Sequence, residues 1–135
     1  MTVMFDNNVI IDVLTNRENS EASIALFMKA ASDEITGLLC ANSINDIYYV
    51  ISKLLNPEKA RNAISKIMQI LYIVPVNVEI CSKAIGSEIE DFEDAIIAVC
   101  AEENDADYIA TSDKKFISSS ATVKAISPAM LLEKL

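Results

Sequence analysis

Thr2-Val3-Met4-Phe5-Asp6-Asn7-Asn8-Val9-Ile10-Ile11-Asp12-Val13-Leu14 is the stretch that decides the fold. Thr2 to Phe5 predicts a short buried strand, and Asp6 stands where it ends. Asn7 and Asn8 break the strand, and Val9 to Leu14 predicts one or two apolar helical turns. The same signal returns late in the chain, where Asp107-Tyr108-Ile109-Ala110-Thr111-Ser112 leads into Asp113. Two strands that each deliver an aspartate at the carboxyl end point to a parallel sheet with a polar edge, where ligands bind in such folds.

The intervening chain alternates helix and strand. Ser20 is placed to cap a helix whose buried stripe is Ile24, Phe27 and Met28. Gly37 to Ala41 predicts a second strand. Ser43 reads as the next cap, with Asp46 at capping-box spacing and Ile47, Val50, Ile51 and Leu54 following as the apolar face. Asn56-Pro57 opens a helix with Ala60, Ile64, Ile67 and Leu71 on one side. Tyr72 to Val76 is a third strand, Asn77 caps Val78 to Ile85, and Asp94 to Glu103 is a further helix. Asp107 to Ala110 and Thr122 to Ile126 are the last strands, and Ser127-Pro128 starts a final helical segment. The expected class is α/β: three layers, α/β/α, around a mainly parallel sheet of about five strands, in a single domain spanning 1–135.

This topology gathers four distant carboxylates. Asp6 and Asp113 lie at strand ends, Asp46 lies early on the helix after the second strand, and Asp94 lies early on the helix before the fourth. Crowded carboxylates repel one another and lose hydration, and a divalent cation offsets both effects. The chain has no histidine, so the site is oxygen-only and suits Mg²⁺ or Mn²⁺ and phosphoryl chemistry. Asp91 shares a helix face with Asp94 and is either a further ligand or a partner of the helix dipole. Glu93 is expected off that face, toward solvent. Asn8 is placed to fix the Asp6 loop, and Thr111 and Ser112 to orient Asp113 or a phosphate oxygen. Arg17, Lys53, Lys114 and Lys115 are the basic groups expected nearest this edge, where they could hold a polyanion backbone. Tyr48 and Tyr49 follow Asp46, and one of them is available to stack on a base.

Bulk properties narrow the choice. Hydrophobic residues make up 52% of the chain, which argues against disorder. The net charge of −9 is unfavourable for a protein that grips nucleic acid and favours a basic partner. Cys40, Cys81 and Cys100 are dispersed in apolar stretches, lack zinc spacing and read as packing residues of a cytoplasmic protein. No basic-then-apolar leader and no long apolar run is present, so secretion and membrane insertion are not expected. Without histidine, a His-activated nucleophile is excluded, and an aspartate or a cation-activated water must serve. Three other functions stay open: a phosphatase for small esters, a DNA nuclease, and a non-catalytic acidic module that binds a basic peptide. The common phosphoaspartyl arrangement places a second Asp two residues after the first, where this chain has Asn8.

Four segments together resemble the PIN domain superfamily, in particular the toxin ribonucleases of type II toxin–antitoxin pairs. They are Phe5-Asp6-Asn7-Asn8-Val9-Ile10, Ser43-Ile44-Asn45-Asp46-Ile47, Asp91-Phe92-Glu93-Asp94-Ala95-Ile96-Ile97-Ala98 and Thr111-Ser112-Asp113-Lys114-Lys115-Phe116, in that order. Asn7 stands where many members have Thr or Ser, and Asp46 where Glu is commoner. The resemblance implies a PIN-like fold and Mg²⁺- or Mn²⁺-dependent endonucleolytic cleavage of RNA. Asp6, Asp46, Asp94 and Asp113 would be the catalytic set and Asp6, Asp94 and Asp113 the principal metal ligands. It further implies a homodimer and inhibition by a small antitoxin, whose basic segment would suit this chain's charge. Ile64, Ile67, Met68, Leu71 and Phe27 exceed what one helix pair needs and are candidates for the dimer face.

Overall fold

The computed structural model describes all 135 residues. In chain order it comprises β1 (Thr2–Phe5), α1 (Asn7–Thr15), α2 (Glu21–Ala31), β2 (Thr36–Cys40), α3 (Ala41–Leu54), α4 (Pro57–Ile70), β3 (Tyr72–Val74), α5 (Val78–Ile85), α6 (Phe92–Glu103), β4 (Tyr108–Ala110), α7 (Lys114–Ile117), β5 (Ala125–Ile126) and α8 (Pro128–Leu132). The strands form one five-stranded sheet in the order β3-β2-β1-β4-β5, and every pairing is parallel. The three-layer α/β/α expectation holds.

Alternation along the strands sends side chains to two cores. Val3, Phe5 and Leu39 pack on one face with residues of α1 to α4 and α8. Met4, Leu38, Cys40 and Ile109 pack on the other with α5, α6 and Phe116 of α7. Phe5 meets Phe27 edge to face at 6.4 Å. Cys40 and Cys100 are buried, Cys81 is half-buried, and all three are free thiols.

Local signals explain most element starts. Asn56 accepts from the Lys59 N–H with Pro57 at the first helical position, Asn77 accepts from Ile80 N–H, and Ser127 from Met130 N–H. Other expectations need correction. Ser43 is not a cap: α3 begins at Ala41, directly from the end of β2, and Ser43 is buried with an unpartnered hydroxyl. Asn7 and Asn8 do not separate strand from helix, because Asp6 itself caps α1 through the Asn7 N–H. Ser20 sits at the start of α2, but its hydroxyl donates back to the Arg17 carbonyl. The buried side of α2 is Ser23, Leu26, Phe27 and Ala30, which leaves Met28 exposed. Leu54 is exposed too. Ile67, Leu71 and Phe27 of the expected dimer face are core, and only Met68 of that group is exposed.

Gly37 has a packing reason to be glycine. A Cβ there would lie 2.4 Å from Leu71 Cδ2, 3.1 Å from Phe5 Cε2 and 3.2 Å from Ala30 Cβ. Leu71 is itself buried, so it has little room to yield. Gly37→Ala is expected to destabilise the protein by about 1–3 kcal/mol through overpacking. A denaturant midpoint equal to that of the wild type would show that the layer between β2 and Leu71 is looser than described.

Candidate active site

The chain builds outward from β1 to β2 and β3, then returns to the other side of β1 with β4. The reversal opens a crevice beyond the carboxyl ends of β1 and β4. Asp6 follows β1, and its N–H donates to Ala110 O of β4 at 3.0 Å, so the two strand ends are tied at that point.

Asp6 is 5% exposed. Its Oδ1 accepts the Asn7 N–H at 2.7 Å, and its Oδ2 accepts the Thr111 hydroxyl at 2.7 Å and the Asn8 amide at 3.2 Å. The fully buried Thr111 hydroxyl also accepts the Asp113 N–H at 3.1 Å. Asn8 Oδ1 accepts the Ser112 N–H at 3.3 Å. Asn8 and Thr111 therefore clamp the ends of β1 and β4 together, and Ser112 contributes its backbone rather than its hydroxyl.

Asp91 and Asp113 are helix N-caps. Asp91 Oδ1 accepts the Asp94 N–H at 3.0 Å, and Asp113 Oδ1 accepts the Lys115 N–H at 3.0 Å. Each keeps its second oxygen free. Asp94, in the first turn of α6, is 9% exposed, and its carboxylate has no ion-pair partner among the protein's salt bridges, which lie elsewhere. Burial, followed by repulsion from Asp6, Asp91, Asp113 and Glu93, pushes Asp94 up to about 7. Burial likewise raises Asp6, against the Thr111 and Asn7 hydrogen bonds, with Asp113 and Asp91 adding to the rise. Asp6, Asp91, Asp94 and Asp113 thus share one local field.

Asp46 lies in the second turn of α3, half-buried, and accepts the Asn7 side-chain amide at 3.0 Å. Glu93 is the residue that sequence reasoning missed. Glu93 is exposed, as expected, yet its carboxylate accepts the same Asn7 amide at 2.6 Å. Burial and the adjacent Asp46 charge push Glu93 up to about 7. Side chains in a first helical turn point back past the helix N-terminus, which would have signalled that a long Glu here reaches the crevice.

The basic residues divide. Lys114 and Lys115 begin α7 beside Asp113. Arg17 and Lys53 are not at this edge, contrary to expectation, and lie near the far ends of α1 and α3. Arg17 follows the nine-residue α1, so it is displaced by about 14 Å of helix, and it pairs with Asp12 at 2.6 Å. Lys53 Nζ lies 4.4 Å from the Tyr49 ring centroid. Next to Asp94 and Asp113 a cleft of about 520 Å³ is lined by Glu88, Glu90, Asp91, Lys115 and Ser118 to Ser120, among others.

All the donors gathered here are oxygens. Asp94 is buried without a countercharge, and Asp91 and Asp113 each offer a free oxygen. That donor chemistry fits a hard divalent cation such as Mg²⁺ or Mn²⁺. No three of these side chains close around a common point in this conformation. Asp6, Asp91 and Asp113 each direct an oxygen to a helix N–H.

Sequence comparisons identify a family, and structural comparisons agree on its fold. The PIN domain matches residues 2–115. Ribonuclease VapC1 of Aquifex aeolicus is 30% identical over 122 residues, covering 86% of this chain and 84% of that protein. The fold resembles VapBC2 from Rickettsia felis bound to a DNA fragment from their promoter, with a TM-score of 0.72 at 18% identity over 94% of this chain and 98% of that one. It also resembles Mycobacterium tuberculosis VapC20, a sarcin-ricin loop cleaving toxin, with a TM-score of 0.72 at 8% identity over 89% and 96% of the two chains. At these identities the structural likenesses speak for the fold alone.

Proposed function

The chain belongs to the PIN domain family, and from that premise we propose that it is a divalent-cation-dependent endoribonuclease, the toxin of a toxin–antitoxin pair. The observation that carries this reading is Asp94, a buried carboxylate without a countercharge beside Asp6, Asp91 and Asp113 at the crevice of a parallel sheet. Asp6, Asp94 and Asp113 would hold Mg²⁺ or Mn²⁺, with Asp46 and Asp91 as further ligands. When bound, such a cation lowers the pKa of a coordinated water and offsets charge on the phosphoryl oxygens.

The protein's own residues do the positioning. Thr111 and Asn8 fix the Asp6 carboxylate, and Thr111 also fixes the backbone that presents Asp113. Lys114 and Lys115 offer positive charge for the phosphates that flank the scissile bond. With no histidine in the chain, a carboxylate would take the proton as water attacks phosphorus in line, while the opposite P–O bond to the ribose breaks and the leaving oxygen takes a proton from solvent.

A homodimer and a small antitoxin complete the reading. The net charge of −9 and an acidic cleft favour an antitoxin segment rich in Lys or Arg, laid near the site. No helix is long and apolar enough to cross a membrane, in keeping with a cytoplasmic place of action.

The test presents the wild type with a mixed pool of structured and single-stranded RNA, single-stranded DNA and a small phosphate ester, each with Mn²⁺ and with chelator. RNA cleavage that chelation abolishes is the expected result. Ester hydrolysis alone would identify a phosphatase. Inactivity on all three, with tight binding of a basic peptide, would identify the acidic binding module.

A further inference from the structure

Asn7 has no part in the reading above, yet it is 8% exposed and stands between two acidic side chains. Its amide nitrogen donates to Asp46 Oδ2 at 3.0 Å and to Glu93 Oε1 at 2.6 Å. Its Oδ1 is buried with no partner. Leaving a buried carbonyl unpaired costs about 1–3 kcal/mol, so the two carboxylates alone fix the amide's orientation. They come from opposite layers: α3 packs on the core with α1, α2 and α4, and α6 packs on the other face of the sheet. At the start of α1, Asn7 bridges the layers across the strand ends. A two-hydrogen donor is the neutral group that can hold two carboxylates side by side without taking the place of a cation.

The geometry points to Glu93 as a further working carboxylate of this site, paired with Asp46, and to Asn7 as the positioning residue that holds the pair. This rests on the proposed cation-dependent reaction and adds to it Glu93 of α6 and Asn7 of α1, which join the site to Asp46 of α3. Asn7 touches neither substrate nor cation. It acts by keeping both carboxylates turned toward the crevice that Asp6 and Asp94 line.

Three variants test this, alone and combined: Glu93→Gln, Asn7→Ala and Asp94→Asn. Two readouts apply to the protein without RNA, namely Mn²⁺ affinity from the free-ion spin-resonance signal and the melting temperature in chelator. The third is kcat and KM on RNA. Glu93→Gln and Asn7→Ala are each expected to weaken Mn²⁺ binding by about tenfold or more, as supporting partners of metal sites do, and to lower kcat more than they change KM. Glu93→Gln should not lower the melting temperature in chelator, because it removes a repelling charge.

The double variant should be little worse than either single one, since the residues act as a unit. If Asn7→Ala does not fold, Asp46→Asn replaces it in the same cycle with the same expectation. Wild-type Mn²⁺ affinity and kcat in Glu93→Gln, or losses that multiply in the double variant, would overturn the inference while Asp94→Asn still supports the underlying reading. An Asp94→Asn protein with unchanged Mn²⁺ binding would overturn that reading and this inference with it.

Discussion

Asp94→Asn is expected to lower metal-dependent RNA cleavage by about a hundred- to a thousand-fold, the range seen when one preorganised electrostatic group is removed from an active site. The substitution preserves shape and removes the charge that makes Asp94 useful. In the free protein that charge is a burden. Asp94 is buried and is repelled by Asp6, Asp91, Asp113 and Glu93. The variant should therefore melt no lower than the wild type in chelator, and the loss of activity cannot then be a loss of fold. Asp6→Asn should abolish cleavage as well, but with the opposite effect on stability. Asp6 accepts three hydrogen bonds, from Asn7, Thr111 and Asn8, and an Asn there sets an amide N–H₂ against donors. Its melting temperature should fall. Full activity in both variants would place the chemistry elsewhere.

In chelator the protein should lose stability as the pH rises from about 4 to about 7. Asp94 is held near 7 against an ordinary aspartate value of 3.8, chiefly by burial. Glu93 is held near 7 against 4.5, by burial and by Asp46. Between these limits the folded protein keeps protons that the unfolded chain has already released. The stability those protons confer is therefore fully present near pH 4 and is lost as the pH climbs through 7. The Asp94 shift alone would correspond to about 4 kcal/mol if unscreened. The crevice opens to water and Glu93 is largely exposed, so a total of about 1–2 kcal/mol is the realistic expectation. That is a fall in melting temperature of roughly 3–8 °C. Millimolar Mn²⁺ should remove the slope and raise the melting temperature at pH 7.5, because a bound cation replaces the protons. Melting curves in chelator that are flat or that rise across this range would contradict the crowding of carboxylates described here.

Several parts of this arrangement were legible in the sequence, for identifiable reasons. Asp6 and Asp113 each follow a short β-branched or aromatic run, and a parallel sheet leaves the residues after such runs at one edge. Asn56-Pro57 and Ser127-Pro128 marked helix starts because proline tolerates only the first turn. Asp94 was legible as a charge early in an otherwise apolar helix.

The misses have physical causes too. Ser43 resembled a cap because its spacing to Asp46 matches a capping box. The chain instead passes from Cys40 of β2 into Ala41 of α3 without a loop, a junction that local composition does not mark. α7 is one turn long, too short for hydrophobic periodicity to register. Met28 fits an apolar stripe with Ile24 and Phe27, but the buried stripe of α2 is turned toward Leu26 and Ala30. Glu93 lies off the Asp91–Asp94 face on a helical wheel, and only the lean of first-turn side chains over the helix end brings it to Asn7. Arg17, just past the end of α1, and Lys53, in the last turn of α3, are each carried away from the sheet edge by the length of the preceding helix.

The most direct measurement is cleavage of the RNA pool by the wild type in H₂¹⁸O, with Mn²⁺ and with chelator, reading the product ends by mass spectrometry. The account predicts products only with Mn²⁺, with one ¹⁸O in the terminal phosphate left at each cut and an unlabelled hydroxyl on the opposite end, because water is the attacking group. Cutting that persists in chelator, or ends that carry a 2′,3′-cyclic phosphate without ¹⁸O, would contradict it.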